Sequence, residues 1–270
     1  MINLETISGL PLELDEKTFK LKFNPPLAEI IPDIRKFSDM IPVLIDRSAE
    51  PKSKVEEMYY MYRDIHLPAD EAVIRKNNIR YDITVIPPVM IGKEFNKTVG
   101  HYHPIIPGSQ KMSYPEIYEV LEGQALFLIQ KMDQDFKQLI SFYGIVASVG
   151  DKVIYPPNYG HIIVNIGKGV LVTGNWTSYG FKSLYEPIKD RHGMAYYVLT
   201  DDIKPFVMVK NEHYADHPPV RMLTVADKIR TEFGFESTKP MYTSGINNPK
   251  LLEFLNNPTK YAIELSTITS

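Results

Sequence analysis

Short runs rich in Ile, Val, Phe, Tyr and Thr alternate with clusters of Gly, Pro, Asn and Asp between residues 80 and 176. This spacing is typical of an all-β sandwich or barrel, because β-branched and aromatic residues suit a pleated surface and the separating residues favour turns. The pattern predicts strands over 81–86, 116–121, 125–130, 137–141, 152–155, 161–165 and 170–174. Two further strands are predicted over 194–199 and 206–209.

The two ends of the chain have a different character. Prolines punctuate the first 55 residues, which predicts extended segments and turns, while 55–63 fits either a strand or a helical turn. Near the C-terminus, Thr224 predicts a helix running to Phe233, and Asn248 followed by proline predicts another over 250–255. We therefore expect a β core over 1–221, which includes the extended N-terminal segment, and a helical C-terminal extension over 222–270.

Composition and charge narrow the possible functions. Hydrophobic residues make up 44% and charged residues 23% of the 270, as in an ordinary soluble domain. Thirty basic and 33 acidic side chains give a net charge of −3, which argues against binding to nucleic acid or an anionic membrane. The longest apolar run, 194–199, is far shorter than the roughly 18 residues of a membrane helix. We see no secretory signal and expect a cytoplasmic protein.

Cysteine is absent, so a metal ion would have to be held by His, Asp or Glu. His101 and His103 lie in a strand-like stretch, where alternate residues face the same way. Glu116 and Tyr118 share one face of the next predicted strand, and His161 begins a later one. Three histidines and one glutamate with open coordination positions would suit Fe, Mn, Ni, Co or Zn.

The spacing of these residues resembles the two cupin motifs. His-x-His is followed by Glu116 and, after six residues, by Gly123, and the second block, 150–165, reads GDKVIYPPNYGHIIVN. The resemblance implies a cupin double-stranded β-helix, or jelly-roll barrel. Asn158 stands where the motif usually has glycine, which predicts a left-handed backbone there. The spacer 104–115 is longer than usual but contains no Asp or Glu.

The remaining histidines have no such framework. A lone histidine is more often exposed or hydrogen-bonded than a ligand. We expect this of His66, His192, His213 and His217. Lys93 and Glu94 are predicted to lie in a solvated turn.

Longer phrases make the resemblance more specific. GKEF at 92–95, TVGHYH at 98–103 and PEIY at 115–118 occur in this order, and 155–167 reads YPPNYGHIIVNIG. Together with Arg35, they resemble the cupin-type phosphoglucose isomerases of archaea and some bacteria. The resemblance covers roughly residues 30–221 and does not extend to the tail from residue 222. It implies interconversion of glucose 6-phosphate and fructose 6-phosphate, in glycolysis and gluconeogenesis.

The family resemblance also implies a ligand set. One divalent metal per subunit would be bound by His101, His103, Glu116 and His161. Glu116 could move a proton between C1 and C2 of the sugar, or remain a ligand while hydride shifts between the carbons. Tyr118 is predicted to face the sugar, with a buried barrel aromatic as the alternative.

Substrate-binding residues follow from the same resemblance. Thr84, Thr98 and Gly100 match phosphate-binding positions, since hydroxyls and backbone amides can hold a dianion without a strong basic patch. The alternative for each threonine is an ordinary strand residue. Tyr59 and Tyr185 match, more loosely, aromatic residues that line the pocket.

Two other functions stay open, a metal-dependent cupin dioxygenase and a non-catalytic cupin that binds sugar phosphates. Dioxygenases of the acireductone type place the acid closely after His-x-His, unlike the 12-residue spacer here. We also expect a homodimer, with extended N-terminal strands crossing to the partner. The tail could instead cap the barrel within one chain.

Overall fold

A computed structural model of the chain describes residues 1–51, 55–109, 111–224 and 226–270. The predicted all-β class is confirmed, since strands form the body of the molecule and the helices are short. The strands are β1 Ile2–Asn3, β2 Leu12–Asp15, β3 Lys20–Phe23, β4 Asp33–Lys36, β5 Glu57–Tyr62, β6 Ile79–Ile86, β7 Met90–Ile91, β8 Glu94–Phe95, β9 Glu116–Glu122, β10 Gln124–Met132, β11 Leu139–Ser148, β12 Lys152–Tyr155, β13 Tyr159–Asn165, β14 Leu171–Ser178, β15 Tyr196–Leu199, β16 Val207–Lys210 and β17 Arg221–Met222.

The helices lie mainly at the two ends of the chain. The α-helices are α1 Glu5–Ser8, α2 Phe37–Met40, α3 Glu71–Lys76, α4 Glu186–Lys189, α5 Ala226–Phe233, α6 Met241–Asn247 and α7 Ala262–Thr267. The 3₁₀ helices span Ile41–Val43, Pro68–Asp70, Pro249–Leu255 and Pro258–Tyr261. No helix in the described ranges is long and apolar enough to cross a membrane.

Two sheets form the jelly-roll barrel. One has the strand order β12-β9-β14-β6-β5-β4, and the other has the order β13-β10-β11-β17. The chain passes from one sheet to the other between β9 and β10, β11 and β12, β12 and β13, and β13 and β14, as in a jelly roll. The inner faces meet in an aromatic core, in which the ring of Phe127 on β10 lies 5.7 Å from that of Tyr118 and 5.9 Å from that of Tyr155.

The register of the larger sheet fixes which side chains face the barrel interior. On β14, Asn175 lies opposite both Tyr118 on β9 and Asp82 on β6. Side chains alternate along a strand, so Glu116 and Tyr118 face inward and Glu119 faces outward. One row of inward positions therefore crosses β9, β14 and β6.

The C-terminal tail packs against the outer face of this sheet. The indole Nε1 of Trp176 donates to the carbonyl of Met241 over 3.1 Å, and its ring stacks on Tyr242 at 5.5 Å. The backbone N–H of Met241 donates to Glu119 over 2.9 Å. The tail thus covers its own barrel, and the division of the chain at residue 221 stays a prediction.

Several predicted boundaries differ from the structure. The strand predicted over 137–141 begins two residues later, at Leu139, and continues as β11 to Ser148, and the one predicted over 170–174 runs from Leu171 to Ser178. The segment predicted as a helix over 250–255 is a 3₁₀ helix that begins at Pro249, and the Asn248 side chain makes no capping hydrogen bond to it. The predicted helix ending at Phe233 begins at Ala226, and residue 225 before it lies outside the described residues.

The predicted solvated turn at Lys93 and Glu94 is wrong for Glu94, which is buried. Its carboxylate is paired with Lys97 and accepts the backbone N–H of Ile45 over 3.0 Å. The Lys97 ammonium also donates to the carbonyl of Val43 over 2.8 Å. This ion pair fastens the segment near residue 44 to the barrel.

Candidate metal centre and pocket

Four side chains converge inside the barrel. The ligand atoms of His101, His103, Glu116 and His161 all lie within 4.8 Å of one another. His101 and His161 exchange two backbone hydrogen bonds, of 3.3 and 3.1 Å, so the segment bearing His-x-His is held against β13. This segment makes isolated bridges to its neighbours and is not a regular strand. The predicted convergence of these four side chains is nevertheless confirmed.

The long spacer before Glu116 is tied back to the second block. The backbone N–H of Ser113 donates to the side chain of Asn158 over 2.9 Å, and the N–H of Asn158 donates to the Ser113 hydroxyl over 2.7 Å. Asn158 has a φ of +71°, as its place in the motif predicted. The two motifs thus meet despite the extra residues between them.

The orientation of the ligands favours cation binding. His103 Nδ1 lies 2.8 Å from the carbonyl of Tyr114, so Nδ1 carries the proton and Nε2 presents its lone pair. That Nε2 is 3.1 Å from His101 Nε2 and 3.5 Å from Glu116 Oε2. Glu116 Oε2 is also 3.5 Å from His161 Nε2. Lone pairs and a carboxylate oxygen therefore point to one common space.

Some of these atoms are buried without a partner. Among the described residues, no hydrogen bond is made by Glu116 Oε2 or by either ring nitrogen of His161. An unsatisfied buried polar group costs about 1–3 kcal/mol, and more if it is charged. A cation bound among these atoms would satisfy them, so the residues present fit a bound metal ion.

The protonation states agree with this view. Burial holds the pKa values of His101 and His161 well below the ordinary value, and lowers that of His103 to about 4. Neutral imidazole is the form that binds metals. Burial, and next the charge of Asp82, raise the pKa of Glu116 to about 8, so a metal ion that binds here would displace the proton of this carboxyl group. The four residues together could hold a metal ion.

Two neighbours contact the Glu116 carboxylate. The side-chain amide of Asn175 donates to Oε1 over 2.6 Å. The Tyr118 hydroxyl lies beside the carboxylate and lowers its pKa. Burial, and next the charge of Glu116, raise the pKa of Tyr118 well above the ordinary value, so its hydroxyl keeps its proton and remains a donor.

All predicted site residues line one cavity of about 380 Å³. Beside the four metal-ligand candidates, these are Tyr59, Thr84, Thr98, Gly100, Tyr118 and Tyr185. The roles predicted for them at the substrate stay predictions, but their convergence in one pocket is a property of the fold.

One end of the pocket is rich in hydrogen-bond donors. The Thr98 hydroxyl oxygen accepts the N–H of Ile163 over 3.0 Å, so its own proton can be donated elsewhere. Gly100 has a φ of +85°, and a Cβ there would lie 2.3 Å from a methyl group of Ile162. Only glycine allows the backbone to pass so close to β13.

Arg35 stands behind the aromatic residues at this end. The hydroxyl oxygen of Tyr59 accepts the N–H of Val99 over 3.2 Å and Nε–H of Arg35 over 3.3 Å. The guanidinium carbon lies 5.9 Å from the Tyr59 ring and 5.5 Å from the Tyr185 ring. Tyr185 in turn packs on His101, with ring centroids 5.3 Å apart.

The sequence analysis did not predict that Arg63 and Arg80 line the pocket, nor that Asp82 holds both of them from behind. Buried Asp82 accepts hydrogen bonds of 3.0 Å from Arg63 and 2.8 Å from Arg80, and both arginines line the pocket. A signal was available for Arg80 and Asp82, because they alternate with Thr84 along β6 and so share its face. The position of Arg63 depends on the pairing of β5 with β6.

Phe181 was also missed. Its ring stacks on Tyr114 at 4.6 Å and packs on His103 at 4.5 Å, so it shields one metal-ligand candidate. It lies in the loop after β14, where the sequence has no regular pattern.

The other histidines lie away from the cluster. His66 Nδ1 contacts the carbonyl of Asp64 at 2.8 Å, and His217 Nε2 contacts that of Asn211 at 2.9 Å. The rings of His192 and His213 pack against each other at 4.2 Å. As predicted, His66 and His217 are hydrogen-bonded and His213 is exposed, whereas Nδ1 of His192 is buried without a hydrogen-bond partner among the described residues.

The sequence of this chain matches a known protein family. The sequence model of the family described as "Glucose-6-phosphate isomerase (GPI)" matches residues 34–216. The chain belongs to this family. The resemblance of the sequence motifs to cupin-type glucose-6-phosphate isomerases is thereby confirmed, while the first 33 residues and the tail lie outside the match.

Archaeal members of the family are similar to this chain over half its length. The glucose-6-phosphate isomerase of Pyrococcus furiosus is 29% identical over 134 residues, which cover 50% of this chain and 63% of that protein. The one from Thermococcus gammatolerans is 32% identical over 136 residues, which cover 50% and 62%. The chain thus spans less than two thirds of the length of these relatives.

Solved structures show a weaker likeness. The oxalate decarboxylase of Lactobacillus farciminis in its formate complex has a TM-score of 0.33 and 20% sequence identity, and the alignment covers 50% of this chain and 32% of that one.

Proposed function

We propose that this protein is a metal-dependent glucose-6-phosphate isomerase that interconverts glucose 6-phosphate and fructose 6-phosphate, in glycolysis and gluconeogenesis. The observation that carries the proposal is the convergence of the four ligand candidates in the same pocket as the predicted phosphate-binding residues, in a chain that belongs to this family. The metal would be one divalent Fe, Mn, Ni, Co or Zn ion per chain, held by His101, His103, Glu116 and His161.

The substrate phosphate would bind at the donor-rich end of the pocket. The hydroxyls of Thr84 and Thr98 and the backbone N–H of Gly100 donate to its oxygens. Such donors hold a dianion well where water is excluded. Arg35 adds positive charge behind Tyr59 and Tyr185, which line the sugar.

Glu116 would carry out the proton transfer between C1 and C2. It is the only carboxylate among the described residues that line the pocket. A divalent ion, when bound, supplies positive charge that stabilises the developing enediolate. The Tyr118 hydroxyl, at the neighbouring inward position, lies beside the carboxylate and keeps its proton, so it would act as a hydrogen-bond donor, and Phe181 covers His103.

A coupled assay tests this function. Fructose 6-phosphate is supplied as substrate, and NADP-linked glucose-6-phosphate dehydrogenase reports product. We expect turnover in the wild type and loss of turnover with EDTA. Absence of turnover in a metal-loaded chain contradicts the proposal, and oxygen consumption in its place would identify a dioxygenase. Binding of fructose 6-phosphate without turnover would identify a sugar-phosphate-binding cupin.

The same assay in D₂O tests the role of Glu116. Proton transfer through a carboxylate allows exchange with solvent, so deuterium should appear on carbon in the product. Deuterium in the product would therefore support proton transfer through Glu116, whereas its complete absence would favour a hydride shift, with Glu116 acting as a ligand.

We also propose the homodimer and the cytoplasmic location as properties of this chain. Light scattering on the full chain tests the dimer, since a monomer at assay concentration would reject it. A dimer that becomes monomeric when the chain ends at Arg221 would assign the contact to the tail.

A further inference from the structure

We propose that Asn175 is a positioning residue that divides the two oxygens of Glu116 between different tasks. It holds Oε1 by one hydrogen bond, which leaves a second lone pair on that oxygen for the proposed proton transfer, and so reserves Oε2 for the metal. This inference rests on the metal site of the proposed function, and it adds a residue that the sequence motifs do not contain.

The contact is short and enclosed. Asn175 Nδ2 lies 2.6 Å from Glu116 Oε1, and the two residues are only 3% and 5% exposed. Glu116 Oε2, by contrast, has no hydrogen-bond partner within the described part of the chain and lies 3.5 Å from both His103 Nε2 and His161 Nε2. One carboxylate thus has one oxygen engaged by protein and one directed at the histidines.

The fold fixes the donor in place. Asn175 lies in the middle of β14, which is paired with β9 on one side and β6 on the other. The next residue, Trp176, is fully buried on the outer face and hydrogen-bonded to Met241. The backbone that carries the amide is therefore held in place by the sheet and by the docked tail.

The chemistry of an amide suits this task. An Asn side chain is neutral and does not titrate, so its NH₂ group remains a donor at every working pH. A carboxylate that is free to rotate can present both oxygens to one ion. With Oε1 engaged, Glu116 offers a single oxygen, which leaves coordination positions open for substrate, as a catalytic site requires.

The test compares Asn175→Leu with a matched control, Thr173→Val. Thr173 is on the same strand and the same face, is fully buried, and has a hydroxyl without a hydrogen-bond partner among the described residues. Both variants remove a polar group from β14, but only one removes the donor to Glu116. Asn175→Ala, which adds no bulk, provides the same test if the leucine variant does not fold.

The measurement is the affinity of the full chain for Co²⁺ alone, in competition with a chromophoric chelator, together with the visible absorption of the bound ion. Loss of an outer hydrogen-bond partner typically weakens metal binding by about 10–100-fold. We expect a loss of this size and an altered Co²⁺ spectrum for Asn175→Leu and Asn175→Ala. Thr173→Val should match the wild type in both. An Asn175 variant with unchanged affinity and an unchanged spectrum would overturn the proposal.

The outcome is separable from that of the proposed function. If Asn175→Leu loses Co²⁺ affinity and the wild type binds Co²⁺ but does not isomerise fructose 6-phosphate, the positioning role stands and the isomerase proposal fails. If the wild type isomerises and Asn175→Leu binds Co²⁺ normally, the positioning role fails and the isomerase proposal stands.

Discussion

Two glutamates on the same strand, β9, have opposite surroundings. Glu119 faces the outer side, where one carboxylate oxygen accepts Lys152 Nζ over 2.7 Å and the other accepts the N–H of Met241 over 2.9 Å. Glu116 faces the barrel interior, where Asn175 satisfies one oxygen and the second has no partner in the described part of the chain. Both residues are buried, at 0% and 5% exposure.

The comparison shows which observation separates a functional carboxylate from a structural one. Burial raises the pKa of Glu116 to about 8 and that of Glu119 to about 7, so a raised pKa alone does not separate them. What differs is the partner. Glu119 is satisfied by Lys152 of the barrel and by Met241 of the tail, whereas Glu116 has an oxygen that no group in the described part of the chain satisfies.

The largest difference should appear in activity. Glu116→Gln removes both a metal ligand and the proposed base, so we expect isomerase activity to fall by about 10²–10⁴-fold and the bound metal to be lost. Glu119→Gln should keep both the isomerase activity and the bound metal. Assay and elemental analysis of the two purified variants measure this. The comparison breaks if Glu119→Gln loses as much activity as Glu116→Gln while remaining folded.

For the stability of the fold we expect the reverse order: disturbing Glu119 should matter more than changing Glu116. Lys152→Met removes the cation of Glu119, and breaking a buried ion pair costs up to about 3–5 kcal/mol, with the largest loss at pH 8, where Glu119 of the wild type is charged. Urea denaturation followed by the fluorescence of Trp176, the only tryptophan and a contact of the tail, measures the loss. Metal-free Glu116→Gln should unfold near the urea midpoint of the metal-free wild type.

A double variant, Glu119→Leu with Lys152→Met, serves as the control for that experiment. Because it removes both charges together, most of the lost stability should return. A double variant no more stable than Lys152→Met would show that packing, and not the unpaired charge, caused the loss.

A smaller effect is expected at the phosphate end of the pocket. Thr98→Val removes a hydroxyl far from the reacting carbons, so KM for fructose 6-phosphate should rise about tenfold, as expected for one hydrogen bond to a charged group, while kcat changes little. Thr173→Val, on a residue that does not line the pocket, should leave both constants unchanged. An unchanged KM for Thr98→Val would make Thr98 an ordinary strand residue.

The smallest effect concerns pH. Burial raises the pKa of Glu119 from 4.5 to about 7, with Lys152 as the largest opposing cause. Between these values the folded chain binds more protons than the unfolded chain, so the contribution of Glu119 to stability is present at low pH and lost as pH rises through about 7. Comparing the Tm of Glu116→Gln with that of Glu116→Gln/Glu119→Gln at pH 5 and pH 8 isolates this effect. Equal pH dependence in the two would contradict it.

The ligand set could be predicted because its information is local. His101 and His103 alternate within three residues, Glu116 and His161 sit at motif spacings, and the left-handed turn at Asn158 follows from its place in the second block. The strands could be predicted for the same reason, since each carries its own alternation or apolar run.

The remaining features depend on contacts between distant segments. Asn175 reaches Glu116 only through the register of β14 against β9, across 59 positions of sequence. Glu94 is buried because Lys97 and the backbone of Ile45 supply its partners, and a local reading of Lys93 and Glu94 predicts only a turn. The docking of the tail likewise depends on the contacts of Met241 with Trp176, 65 residues away, and with Glu119, 122 residues away.

The central claim is that the unsatisfied oxygen of Glu116 and the three histidines hold a metal that isomerisation requires. The most direct test is to strip the chain with a chelator, verify by elemental analysis that it is metal-free, and add a divalent ion back while following the conversion of fructose 6-phosphate. We predict no activity in the stripped chain, and a rise in proportion to added metal that saturates at one ion per chain. Full activity in a chain verified to be metal-free would contradict the claim.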